Sequence, residues 1–439
     1  MRLTAELLLL CSALIAQTAA YSTPHQQRPL VDNNAIIPPS HGDAPSYRVP
    51  LLTLHRDLVN VPSISGSEGD AALLLEKLLT KLNYTVHLQL LPSSAPTSGN
   101  TQPRYNVLAF PRSSSPPTLS NRVLITSHID VVPPYIPYSL DHNPLPPSAP
   151  LNFTAITPST LISGRGTVDA KASVAAQITA TTLLLQSGAI SSSDVVLLFV
   201  VGEETSGAGM KHFSASLDDQ HNTAATANSR VQFKAAVFGE PTELKLACGH
   251  KGIVGGTLTA RGKAGHSGYP WQGKSATTLL VRALERLLRA DLGSSERYGN
   301  TTLNIGVLEG GVAANVIAKE ARAKLAVRVA VGDRETGGEL VERRMRRLVE
   351  EVDKEDLELE IAAASGPVEC ECDVEGFETT VVNYGTDVAN LKGDHVSYLY
   401  GPGSILVAHG DDEGLSVKDL EMAVEGYKRL IQHAVEARN

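Results

Sequence analysis

Residues 123–130 read Val-Leu-Ile-Thr-Ser-His-Ile-Asp, and residues 195–204 read Val-Val-Leu-Leu-Phe-Val-Val-Gly-Glu-Glu. Each is a short, mostly apolar run that ends in ionisable residues. An amphipathic helix would repeat every three to four residues, and a half-buried strand would alternate. Continuous apolar runs separated by helical stretches instead fit strands of a buried sheet in an α/β layer. Further strands are predicted at 85–91, 105–110 and 235–238. Apolar spacing predicts helices over 51–59 and 70–82, and a small-residue helix over 170–185 suited to close packing on a sheet. Ser67-Glu68-Gly69-Asp70 resembles a capping box opening the second helix, with Asp in the place of Glu. Segments rich in Pro and Ser at 92–103, 113–120 and 144–150 read as surface insertions.

The pattern changes near Gly249. Residues 252–261 alternate, 275–290 are amphipathic, and 302–308 and 316–331 read as strands. A charged helix over 338–352 and a strand over 357–363 follow. This β-α-β-β-α-β order suggests a ferredoxin-like split βαβ unit. Apolar strands resume after Gly366, and a helix over 417–434 ends the pattern, so the second unit is an insertion into the first. The expected segments are a signal peptide at 1–20, an extended arm or pro-segment at 21–47, a catalytic domain in two parts at 48–248 and 366–439, and an inserted lid at 249–365.

With 38 basic and 47 acidic residues the net charge is −9 and there is no basic tract, which argues against a nucleic-acid partner. Arg2, the apolar core 7–16 and the small residues Thr18-Ala19-Ala20 read as a secretory signal cut after Ala20. Beyond it no apolar run reaches the roughly 18–20 residues of a membrane span, so the expectation is a secreted, extracellular protein without a stable membrane anchor. Three sequons, at Asn83, Asn152 and Asn300, are then glycan acceptors on the surface. Removing Cys11 leaves Cys248, Cys370 and Cys372, an odd set that allows one disulfide, with Cys248 joined to one of the close pair. Their spacing is not that of a zinc knuckle.

Five segments carry the chemistry: Ser127-His128-Ile129-Asp130, Gly166-Thr167-Val168-Asp169, Gly202-Glu203-Glu204, Gly239-Glu240-Pro241 and Ala408-His409-Gly410, the last after an apolar run at 405–407. All fall at expected strand or helix edges, where open α/β sheets gather their sites. Imidazole and carboxylate donors suit zinc, and hydrolytic sites pair two such ions through a bridging carboxylate. His128-x-Asp130 adds a carboxylate able to orient the imidazole. A spare Glu beside a ligand supplies a general base, and spacing does not say which of Glu203 and Glu204 it is.

These motifs, together with Gly164-Arg165-Gly166, Asp169-Ala170-Lys171, Gly249-His250-Lys251-Gly252, Ala264-Gly265-His266-Ser267, Asn315-Val316-Ile317 and Gly401-Pro402-Gly403, resemble one family in order along nearly the whole mature chain. It is the di-zinc family of acetylornithine deacetylase, succinyl-diaminopimelate desuccinylase, carboxypeptidase S, glutamate carboxypeptidase and aminoacylase. The resemblance implies a zinc-exopeptidase-like mixed sheet flanked by helices, with the α+β insertion as a lid or dimerisation domain. It implies two zinc ions per subunit: His128, Asp169 and Glu240 on one, Asp169, Glu204 and His409 on the other, with Asp169 bridging. Asp130 then orients His128, and Glu203 is the base that activates water and protonates the leaving amine. His266 matches an oxyanion-polarising histidine that a partner subunit supplies in dimeric members. Asn315 and Arg328 match residues near the substrate carboxylate, and Gly401 and Gly403 would offer it backbone N–H groups. The sequence departs from the family at Ala172, usually Gly, at Gly410-Asp411, usually Thr-Pro, and in a Pro-rich stretch at 143–152 in place of a Trp-containing loop. The implied activity is that of a secreted zinc carboxypeptidase acting on peptides. An N-acyl-amino-acid deacylase is the alternative, a di-zinc aminopeptidase a less favoured one, and a metal-free binding homologue a third. Monomers and lid-mediated dimers both occur in the family, which leaves a homodimer through the lid open.

Overall fold

The computed structural model describes residues 44–92, 102–113, 118–144, 151, 155–219 and 231–437. The expected signal peptide, the arm up to residue 43 and the sequon at Asn152 lie outside the described residues.

Two helices, α1 (Arg48–Val59) and α2 (Gly69–Lys81), precede a mixed nine-stranded sheet. Its strands are β1 (Tyr84–Leu90), β2 (Tyr105–Pro111), β3 (Val123–His128), β4 (Val195–Val200), β5 (Ala235–Gly239) and β6 (Leu246–His250). Beyond the insertion it is completed by β11 (Val368–Glu369), β12 (Thr379–Val382) and β13 (Val396–Tyr400). The order is β1-β2-β4-β3-β5-β13-β6-β11, with β12 also paired to β6. The four central strands β4, β3, β5 and β13 run parallel. Along β4, Val195, Leu197 and Phe199 join one buried cluster while Val196, Leu198 and Val200 join another. Successive side chains of a strand point to opposite faces, so burial on both faces demands the unbroken apolar run. Helices α3 (Lys171–Ser187) and α7 (Val417–Glu436), with α1 and α2, cover one face. Helix α4 (Ala208–Asp219) covers the other through Met210, Phe213 and Leu217.

The insertion forms its own antiparallel sheet, of β7 (Gly252–Arg261), β8 (Thr302–Gly310), β9 (Glu320–Val329) and β10 (Leu357–Ser365), in the order β8-β9-β7-β10. Helices α5 (Ala276–Arg289) and α6 (Gly337–Glu350) pack on one face through Leu280, Ala283, Leu287, Val341 and Met345. This is the expected split βαβ arrangement. Cys248 bonds to Cys372 and leaves Cys370 as a buried free thiol, in keeping with the expected pairing.

Four local readings differ. Helix α4 and strand β6 were not expected, although Met210, Phe213 and Leu217 have helical spacing. The capping box does not form. Glu68, not Ser67, occupies the N-cap without a side-chain cap bond, because its carboxylate accepts from Gly66 N–H and pairs with Arg104 at 2.7 Å. Residues 405–407 form a turn instead of a strand, so the nearest strand before His409 is β13.

The first and last helices are tied by a buried ion pair, in which Arg48 Nε and Nη2 donate to the two oxygens of Glu421. Removing one partner leaves a buried charge uncompensated. Glu421→Ala is expected to destabilise the fold by about 3–5 kcal/mol, read as a lowered midpoint of denaturant unfolding.

Candidate metal centre

Parallel strands end on the same side of a sheet, and their C-terminal ends gather polar residues. His128 is the last residue of β3, Glu240 directly follows β5, and Glu203-Glu204 open the turn after β4. In that turn Gly207 N–H donates back to the Gly202 carbonyl at 2.8 Å. Gly202 has φ +76°, and a Cβ there would lie 2.6 Å from Arg104 Nη2, so a side chain would be strained and would displace the guanidinium. Asp169 lies on the turn before α3, next to the N-cap residue Ala170. His409 lies on a turn beyond β13 with φ +64°, a conformation that non-glycine residues rarely adopt.

The described side chains converge. His128 Nε2 lies 3.0 Å from Asp169 Oδ1 and 3.9 Å from Glu240 Oε1. His409 Nε2 lies 3.2 Å from Asp169 Oδ2 and 3.0 Å from Glu204 Oε2. Two groups able to hold a metal ion result, His128–Asp169–Glu240 and Asp169–Glu204–His409, each with donor atoms within 4.8 Å of one another. Asp169 belongs to both and turns one oxygen toward each.

The electrostatics show the same need for positive charge. Burial disfavours an imidazolium at His128, yet Asp130, Asp169 and Glu240 hold its pKa well above the usual value. Asp169 and Glu204 raise His409 to about 10. Burial, then the Glu240 charge, pushes the Glu203 carboxyl well up, and burial does the same to Glu240. Asp387, tucked behind the Glu203–Gly207 turn, is raised to about 6 by burial. Buried carboxylates thus crowd together, offset chiefly by the two imidazoles and, from farther off, by Arg328 at Glu203 and Lys211 at Asp387. Glu204 Oε1 is buried without a hydrogen-bond partner. Nitrogen and oxygen donors, an orphaned carboxylate oxygen and excess negative charge fit a pair of divalent cations.

Asp130 stands beside the imidazole and also holds the neighbouring turn. His128 Nδ1 sits 3.0 Å from the main-chain oxygen of Asp130 and 3.6 Å from its carboxylate. That carboxylate accepts the N–H of Glu203 at 3.1 Å, of Glu204 at 3.2 Å and the hydroxyl of Ser65 at 2.7 Å. It therefore aligns the Glu-Glu turn as well as supporting the imidazole.

The lid residues divide. Arg328, on β9, is half-buried, feels the Glu203 charge and lies near Gly385 of the main sheet domain. Among the described residues it has no ion-pair partner. His266 and Asn315 sit together at the lid tip, where His266 pairs with Val316 and Ser267 N–H donates to the Asn315 carbonyl at 3.1 Å. Both are exposed, and the contacts shown for His266, with Gly268 N–H and the Tyr269 ring, do not reach the metal centre. The N–H of Gly401 is already occupied by Thr242 Oγ1 at 3.0 Å, so it does not offer the expected donor to a substrate carboxylate. Its lack of a side chain instead admits Ser173 and the Glu240 carbonyl. Asn83 and Asn300 are exposed. Tyr384, whose hydroxyl donates to the Pro241 carbonyl at 2.9 Å, was missed, since a tyrosine between Asn383 and Gly385 carries no motif.

Comparison with known proteins follows the same lines. A family profile described as "Peptidase dimerisation domain" matches residues 248–360, and one described as "Peptidase family M28" matches residues 106–264. A "Peptidase M20 domain-containing protein" of Sordaria macrospora is 56% identical over 403 residues, covering 90% of this chain and 87% of its own. A "Probable carboxypeptidase" of Aspergillus oryzae is 46% identical over 407 residues, covering 89% and 88%. The solved structure of an M20 family metallo-carboxypeptidase from Sulfolobus solfataricus superposes with a TM-score of 0.66 at 16% identity, covering 88% of this chain and 99% of that one, a likeness of fold.

Asp130→Ala removes the acceptor for two backbone N–H groups of the Glu-Glu turn without removing a donor of either group. It is expected to lower the affinity of the metal-free protein for added Zn2+ by about 10- to 100-fold, measured by competition with a chromophoric chelator.

Proposed function

The chain belongs to the M20 family of metallopeptidases, and from that premise we propose that it is a secreted, glycosylated di-zinc carboxypeptidase that hydrolyses C-terminal peptide bonds. The observation that carries the reading is the pair of donor groups sharing Asp169. His128, Asp169 and Glu240 would hold one zinc, and Asp169, Glu204 and His409 the other. The bound ions supply Lewis acidity toward the scissile carbonyl and ease deprotonation of water. The rest falls to side chains.

Glu203 would coordinate neither ion in this reading, and it feels the charges of Glu240, His128 and Asp169. Its carboxylate takes a proton from the attacking water and returns it to the departing amine. Burial beside Glu240 raises its proton affinity, which suits a group that must both accept and hold a proton. Arg328, charged and without a carboxylate partner among the described residues, recognises the free C-terminal carboxylate. Two charges of one sign near Glu203 and Glu240 would be costly, so a substrate carboxylate has reason to seat on the guanidinium side. His266 stabilises the developing oxyanion. Because its contacts lie at the lid tip, this role goes with a homodimer in which one copy's lid serves the other's metal centre, in line with the profile matched over 248–360. The sequons at Asn83, Asn152 and Asn300 carry glycans once the expected signal peptide directs export.

The purified protein is expected to release the terminal residue from N-blocked dipeptides with a free C-terminus. Amidated dipeptides should be spared, and chelator should abolish turnover until Zn2+ is restored. Turnover confined to N-acetylated amino acids would replace the carboxypeptidase reading with a deacylase.

Glu203→Ala is expected to bind metal as the wild type does while losing at least ~10²-fold in kcat, the scale of a general base. Arg328→Leu is expected to raise KM about 10- to 100-fold with a smaller effect on kcat, the scale of a charge-assisted hydrogen bond. Both are read from initial rates on the blocked dipeptides.

A further inference from the structure

Two of the proposed ligands, Asp169 and His409, stand on turns that neither a main-sheet strand end nor Asp130 places. His128 and Glu240 are placed by β3 and β5, and the Glu204 turn is aligned by Asp130. Asp169 and His409 lack such support from the main sheet. A small antiparallel pairing, Leu161–Ser163 with Gly414–Ser416, only brings the two turns alongside each other.

The Gly164 N–H and the Thr167 hydroxyl donate to the Glu413 carbonyl at 3.1 and 3.2 Å, and the side chains join the turns through one ion pair whose members are each 1% exposed. Glu413 Oε1 accepts the backbone N–H of Gly166 at 2.9 Å, of Val168 at 3.0 Å and of Asp169 at 3.2 Å. Its other oxygen accepts Arg165 Nη1 at 2.7 Å. Arg165 then reaches the second turn, donating through Nη1 to the Gly410 carbonyl at 3.0 Å and through Nη2 to the His409 carbonyl at 3.2 Å. Its Nε donates to the Pro134 carbonyl at 3.3 Å. A planar guanidinium can serve several fixed acceptors in this way, and a compact ammonium cannot.

We propose that Arg165 and Glu413 form a positioning pair that sets the distance between Asp169 and His409, and that the Asp169–Glu204–His409 group depends on it more than the His128–Asp169–Glu240 group. The pair holds the main chain at two of the three donors in the first group. In the second it holds only Asp169, and the other two donors are anchored by strands. Neither side chain is a metal donor in the groups found. The inference rests on reading the cluster as a two-metal centre.

The test is calorimetric titration of the chelator-stripped full chain with Zn2+ alone, alongside thermal melting of the metal-free protein. Glu413→Gln keeps an oxygen for the three N–H groups and removes the charge facing Arg165. Wild type should take up two ions. The variant should keep one site within about threefold and weaken the other by about 10- to 100-fold, the scale for groups that orient metal ligands. Arg165→Lys, which keeps the charge and loses the fork, should show the same asymmetry, and it stands in if Glu413→Gln does not fold. Two sites of wild-type affinity in the variant would overturn the proposal. So would equal weakening of both sites with a lower melting temperature, which marks a general structural role. A wild type that binds no Zn2+ would overturn the two-metal reading, and the proposal with it.

Discussion

Asp169 turns one oxygen toward His128 and the other toward His409, inside a ring of carboxylates that repel one another across a poorly solvated space. That single side chain makes one centre of what would otherwise be two clusters. Its position obliges the strand ends and the turns to agree on one small volume. A buried like-charged group is tolerated only when cations or hydrogen bonds compensate it. In the protein alone the carboxylates favour the charged form of the His128 and His409 imidazoles, which offset part of that charge. A divalent ion in each group would supply the compensation more fully. The architecture is thus organised around excess negative charge, which the parallel strands concentrate by ending on one side of the sheet.

Supports of different kinds place the donors. Strands place His128 and Glu240 with the rigidity of a doubly covered sheet. The Asp130 carboxylate fixes the Glu203–Glu204 turn by accepting both its N–H groups. The turns of Asp169 and His409 are held to each other by the buried Arg165–Glu413 pair, one member from each segment. Arg104, paired with Glu68, fills the space against Gly202 and ties the Glu-Glu turn to the start of α2. Buried ion pairs of this kind are weak sources of stability but strong constraints on geometry when each charge is matched.

The legibility of these features in sequence follows from their range. The strands β3, β4 and β5 were readable because burial on both faces leaves an apolar run that no other local structure needs. The polar residues that end the runs marked the donor positions. The resemblance to a known family then assigned their roles, and similarity to the M20 relatives supports the family itself. The relation of Arg165 to Glu413 was not readable, since 248 residues separate them and neither breaks a local pattern. Strand β6 was hidden because Cys248, Gly249 and His250 dilute its apolar signal. The apolar run at 405–407 misled for the opposite reason: Leu406 is 85% exposed, and the segment folds as a turn beside His409. Asp130 lies beside His128, where the expectation put it, and its carboxylate also accepts backbone N–H groups of the Glu-Glu turn, which residue types alone do not reveal.

The disulfide joins positions 124 residues apart, Cys248 just before the inserted sheet and Cys372 just after it. The whole insertion is therefore a covalently closed ring attached to the main body. A protease that nicks any loop of that ring would not release a fragment. The cut molecule would migrate as one species on a non-reducing gel and separate into two pieces only with a thiol, so clipping could go unnoticed in an ordinary size measurement.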